Sequence, residues 1–208
     1  MATKIAAGAE TLLWHHGAEG HDTISARTLG FWLYMMSDAL IFASLFAAYG
    51  VLDNPFNAAG GPIAQQVVHP LEGFWQTIAV LGSVLAYSLA TVALKNGSKI
   101  GVVHGILGAI VLAVVFLGFE AHDLLGLIAQ GDGPQRSGFL SVFFMMIASH
   151  GLHMVFGILW MLVMLVQVAR SGFTGDVVAR LLNLRLFWQF QASVWVCVYV
   201  YVYLLGGF

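Results

Sequence analysis

Asp38 stands inside the uninterrupted apolar run from Leu29 to Tyr49, about nine residues from the nearest polar flank. At about 1.5 Å per helical residue it lies roughly 14 Å into a hydrocarbon layer about 30 Å thick, close to the midplane. An ionised carboxylate there costs at least ~2.5–3.5 kcal/mol unless a partner or a proton offsets it. Two roles fit such a residue, a proton-linked one and a neutral, hydrogen-bonded brace between helices. A second constellation is Ser149-His-Gly-Leu-His153, whose imidazoles, three residues apart, share one helical face. His150 and His153 fall about twelve and fifteen residues into their own run, at the depth of Asp38, so a contact from Asp38 to either is sterically open. Glu120 and Asp123 form a third group on one face, with His122 turned aside, near the far end of their run, where water or headgroups can reach.

The chemistry these residues offer is proton exchange or hydrogen bonding rather than metal binding. Haem between helices needs imidazoles at matched depth, and His104 lies near one end of its run while His150 is central. A di-metal carboxylate site needs Glu-x-x-His spacing, which Glu120-Ala-His122 lacks. The single cysteine, Cys197, supplies neither a disulfide nor a thiolate cluster. No nucleophile and base stand at catalytic spacing, and Gly131-Asp-Gly-Pro134 reads as a turn rather than a phosphate loop. The expectation is a chain with no metal, no haem and no catalytic residues of its own.

The elements that must position these groups follow from composition. Hydrophobic residues make up 60% of the 208, charged residues only 9%, and mean hydropathy is +0.87, which defines an integral membrane protein. A net charge of −2 leaves no basic face for nucleic acid. Five runs are long enough to span: 29–52, 74–94, 100–128, 139–169 and 186–205. The fold class is therefore all-α, a bundle of five transmembrane helices over residues 29–208, preceded by a polar tail at 1–28. That tail carries His15, His16 and His21, read as solvated, and has no apolar core of signal-peptide length. The third and fourth runs exceed what a bilayer requires, which implies tilt or extension. No internal repeat supports an inverted-repeat transporter.

Basic residues set the expected orientation. Lys4, Arg27, Lys95, Lys99, Arg170, Arg180 and Arg185 fall on one side and Arg136 alone on the other, which puts the N terminus in the cytoplasm and the C terminus outside. Trp32, Trp75, Trp188, Tyr199, Tyr201 and Tyr203 lie near run ends, as interfacial aromatics do.

Four segments in order carry a resemblance: Phe31-Trp-Leu-Tyr-Met-Met-Ser-Asp-Ala-Leu-Ile-Phe42, Gly133-Pro-Gln-Arg-Ser-Gly-Phe139, Ser149-His-Gly-Leu-His153, and Phe187-Trp-Gln-Phe190 followed by Trp195. Together they resemble subunit III of the haem-copper terminal oxidases, from the first span to the C terminus. The five-span form is similar to subunit III of bo-type quinol oxidases rather than to the seven-span form of cytochrome c oxidases. The resemblance implies an accessory subunit without cofactors in a bacterial inner-membrane complex that oxidises quinol, reduces oxygen to water and pumps protons. It implies haems and copper in subunit I, bound phospholipid, and subunits I, II and IV as partners. It matches Asp38 to the family's buried acid, His150 and His153 to its histidine pair, and Glu120 and Asp123 to a polar pair of the short form. It assigns Trp32, Arg136, Phe139, Trp188 and Trp195 to subunit or lipid interfaces. One departure stands out, because the family commonly has His and Asp where this chain has Gln189 and Ala192. Subunit III of a cytochrome c oxidase or nitric oxide reductase, and a small proton-coupled transporter, are the alternatives.

Overall fold

The computed structural model describes residues 23–206. Its five long helices are α1 (Thr23–Leu52), α2 (Pro70–Lys95), α3 (Lys99–Ala129), α4 (Gly138–Ser171) and α5 (Gly175–Val198), with a short turn of helix at Ala64–Val67 and a π-helical end at Tyr199–Leu204. The expected polar tail lies largely outside the described residues, and α1 begins at Thr23, before the end assigned to that tail. Thr28–Leu52 of α1, at 25 residues, and the whole of α2, α3 and α4, at 26, 31 and 34 residues, are long and apolar enough to cross a membrane. Helix α5 is not counted with them, because Asp176, Arg180, Asn183, Arg185, Gln189 and Gln191 dilute its apolar character. By length and apolar composition four of the five expected spans qualify; α5 falls short of that measure and packs against α1, α2 and α4.

Local signals explain the ends. Ser98, Ser137 and Thr174 each accept a backbone N–H of the first turn of α3, α4 and α5, satisfying donors a helix start leaves open. Pro70 opens α2, where its missing N–H costs nothing. The α2–α3 connection turns at Gly97, whose φ of 69° suits glycine. These caps place the α5 start eleven residues before the apolar run at Leu186, since Thr174 caps and Asp176 sits favourably in the first turn.

Helices α2 and α3 form a tight antiparallel hairpin; α4 packs on α1, α3 and α5; α5 packs on α1, α2 and α4. Small residues let the backbones approach. A Cβ at Gly105 would meet Ala90 N at 2.8 Å and Ala86 O at 2.9 Å, and one at Gly157 would meet Trp188 Cζ3 at 2.5 Å. The core is aromatic and runs between the helices through Phe116, Phe139, Phe187, Trp188 and Trp195, all at most 2% exposed. Leu33, Leu40, Val111, Leu125, Leu152 and Leu159 point outwards on α1, α3 and α4, as a chain solvated by lipid requires.

Candidate functional site

One polar cluster of the interior joins three helices, through Asp38 of α1, His153 of α4 and Gln191 of α5. His153 Nδ1 donates to the Ser149 carbonyl one turn back, at 2.6 Å, and its Nε2 lies 3.0 Å from Asp38 Oδ1. A carbonyl only accepts, so Nδ1 carries a hydrogen. Nε2 and the carboxyl group then hold one further proton between them, either as imidazolium with carboxylate or as neutral imidazole with carboxylic acid. Both forms are neutral as a pair, which is how an acid survives at this depth. Gln191 of α5 adds a longer bond, its Nε2 standing 3.4 Å from Asp38 Oδ2. Asp38 is 4% exposed, whereas a fifth of the His153 side chain reaches the α1–α4 surface.

His150 takes another direction. It is fully buried, donates from Nε2 to the Gln191 carbonyl at 3.1 Å, and sits between the rings of Phe116 and Trp195. Of the two contacts left open for Asp38, the structure forms the one to His153. His150 instead ties α4 to the backbone of α5.

Glu120 and Asp123 divide their work. Asp123 accepts from Gln76 Nε2 of α2 at 2.6 Å, and His122, largely exposed, lies 3.6 Å from it. The expectation that Glu120 is reached by water or headgroups is corrected: it is 4% exposed and rests against the backbone of Gly151 on α4. A Cβ at 151 would come within 2.8 Å of Glu120 Oε1, so this carboxyl group fits only against glycine.

Three of the proposed interface residues are interior. Phe139 is 1% exposed, Trp188 2% and Trp195 fully covered. The two indoles bury because each finds an acceptor: Trp188 Nε1 donates to Ser83 Oγ at 2.9 Å, and Trp195 Nε1 to Thr77 Oγ1 at 3.1 Å. Placing Trp188 and Tyr203 in an interfacial belt is corrected for the same reason, since Tyr203 is also buried. Trp32 is half exposed, and Arg136 pairs with Asp132 at 3.1 Å. Gln76, Ser83, Thr77 and Gln191 escaped the sequence reading. Their signal was a buried amide or hydroxyl in an apolar helix, which becomes informative only once its partner is known.

Together these contacts describe an all-helical membrane subunit whose buried polar groups hold helices to one another. The chain matches the family model of cytochrome c oxidase subunit III over residues 9–207 and belongs to that family. It is similar to the cytochrome bo(3) ubiquinol oxidase subunit 3 of Pseudomonas putida, 40% identical over 89% of each chain. The protein of the same name from Pseudomonas aeruginosa is 38% identical over 93% of this chain and 91% of its own. The cytochrome c oxidase subunit 3 of Bacillus sp. strain PS3 is 33% identical over 86% of this chain and 85% of its own.

Proposed function

We propose that this chain is the accessory subunit III of a proton-pumping quinol oxidase, which couples quinol oxidation to the reduction of oxygen to water. The observation that carries this reading is similarity over about nine-tenths of the chain to proteins named subunit 3 of a ubiquinol oxidase, at 40% and 38% identity. In this reading the haems and copper belong to subunit I, and this chain packs beside it with subunits II and IV in the bacterial inner membrane. Its N terminus faces the cytoplasm, phospholipid fills part of its outer surface, and its own contribution is stability of the assembly. The Asp38–His153 pair, which can pass its shared proton between two groups without changing net charge, is the residue set through which it would act on proton traffic. Co-purification of the intact complex tests the proposal. Expected are a haem spectrum, quinol-dependent oxygen consumption and this chain in stoichiometric amount. A complex that oxidises cytochrome c and not quinol overturns the donor, and transport by the chain alone in proteoliposomes overturns the class.

A further inference from the structure

Arg185 does not lie in the connection between α4 and α5 but on α5 itself, ten residues past Gly175. With its π-helical end, α5 runs 30 residues to Leu204, roughly 45 Å; centred on a hydrocarbon layer of about 30 Å it would extend about 7 Å beyond each face, and Arg185, roughly 15 Å from the α4–α5 turn, would stand inside the layer. Its Nε is buried with no hydrogen-bond partner, among the described residues, while the chain places it within electrostatic reach of Tyr87, whose hydroxyl is already committed to the Leu181 carbonyl at 3.0 Å. Other than Asp38 and Asp176, the described carboxylates, Asp53, Glu72, Glu120, Asp123 and Asp132, lie towards the opposite end of the bundle. Asp38 faces His153 and Gln191, and Asp176 sits in the first turn of α5, about 13 Å below Arg185 along the axis.

The same face continues outward. Arg185, Gln189 and Ser193 follow at one-turn intervals on the side of α5 turned away from α4, partly or fully exposed, and Cys197 follows them. Beyond them, Phe46, Ala47, Cys197 and Tyr201 line an open groove of about 350 Å³ between α1 and α5. Ser193 Oγ already donates to the Gln189 carbonyl at 3.0 Å, but acyl chains offer the side chains of Arg185 and Gln189 no partner, and a charged side chain within the bilayer is found facing protein, water or an opposite charge.

We infer that this face of α5 is a docking surface for one transmembrane helix of a partner subunit, carrying an aspartate or glutamate level with Arg185. The inference rests on the subunit III reading, since it requires a partner within the membrane. The partner helix lies along the Arg185–Gln189–Ser193 row, its carboxylate on the guanidinium and its small side chains against Ala47 and Cys197. The alternative occupant, a phospholipid whose phosphate is drawn to Arg185, is an outcome of the test.

The experiment is site-specific photo-crosslinking in the whole oxidase complex. A benzophenone side chain is placed at Gln189, and separately at Leu159 on the exposed face of α4, and adducts are mapped by mass spectrometry. The expected result at Gln189 is capture of a partner transmembrane segment with an acidic residue within about a turn of the site. In parallel, Arg185→Gln lowers retention of this chain in the purified complex about tenfold, and Arg185→Lys restores most of it, as removing one member of a desolvated charge pair requires. Phospholipid adducts alone at Gln189, or Arg185→Gln retained like the unaltered chain, overturn the docking surface while leaving the subunit III reading standing. If no partner co-purifies with the unaltered chain, the subunit III reading itself has failed.

Discussion

Replacing Asp38 separates a brace from a proton carrier, because the two substitutions Asp38→Ala and Asp38→Asn remove different things. Alanine deletes the acceptor of the 3.0 Å bond from His153 and of the longer 3.4 Å bond from Gln191. One buried donor without a partner costs about 1–3 kcal/mol, and breaking a buried pair by removing one member costs about 3–5 kcal/mol. The Gln191 bond is long and adds little, so the expected loss for Asp38→Ala is about 3–5 kcal/mol. Asparagine keeps both contacts. Its Nδ2 donates to an unprotonated His153 Nε2 and its oxygen accepts from Gln191, so the expected loss is below about 1 kcal/mol. The assay is the retention of this chain in the purified complex against rising detergent or temperature, together with the initial quinol-oxidase rate and total turnovers before inactivation. Asp38→Ala should fall apart early. Asp38→Asn should assemble and start at nearly the unaltered rate, then inactivate sooner, since the amide cannot hold the shared proton. Equal damage from both substitutions refutes the hydrogen-bond reasoning, and an Asp38→Asn complex like the unaltered one in all three measurements leaves Asp38 as a brace alone.

Other outcomes follow from the packing. Gly157→Ala drives a Cβ to 2.5 Å from Trp188, whose indole is pinned to Ser83, and should cost about 1–3 kcal/mol in thermal or detergent unfolding; a neutral result would mean that Trp188 is free to move. His150→Ala removes the tie to the Gln191 carbonyl and opens space beside Phe116 and Trp195, so it should loosen subunit association more than Asp38→Asn does, read as retention on native gels. Partial burial raises the carboxyl pKa of Asp53 above the ordinary aspartate value. The folded chain then binds more protons than the unfolded one between those two values, so this group's contribution to stability falls as pH rises through that window. Asp53→Asn should flatten that slope in a melting series, and an unchanged slope would contradict it. Purified alone, the chain should be colourless and free of stoichiometric copper by absorbance and elemental analysis.

Hydropathy made α1 to α4 readable, because a bilayer demands long apolar runs and little else resembles them. It failed at the start of α5, where Arg180, Asn183 and Arg185 interrupt the apolar run, although the Thr174 cap and Asp176 were present as weaker signals. That Asp38 and His153 stand at one level of the bundle was legible from residue counting alone, as their 3.0 Å contact requires. The choice between His150 and His153 was not, since it depends on how α4 is rotated against α1 and α5, which three-residue spacing cannot specify. Glu120 and the two indoles were misplaced for a related reason: nearness to a run end suggests contact with headgroups, but burial follows from the partner, and Gly151, Ser83 and Thr77 lie 31 residues or more away in the chain.

The hydrogen bonds through Ser83 also bear on the timing of synthesis. Ser83 of α2 donates a hydrogen bond to the Ala109 carbonyl of α3 at 2.8 Å and accepts one from Trp188 Nε1 of α5 at 2.9 Å. The first bond is available as soon as α2 and α3 leave the translocation machinery as a hairpin, whereas the second waits for the last helix to emerge. A nascent chain halted before α5 would thus already hold its serine oriented, with an acceptor lone pair facing the place where the indole will arrive. The least apolar helix, the one with the weakest claim on lipid, would be recruited by a receptor its predecessors have built.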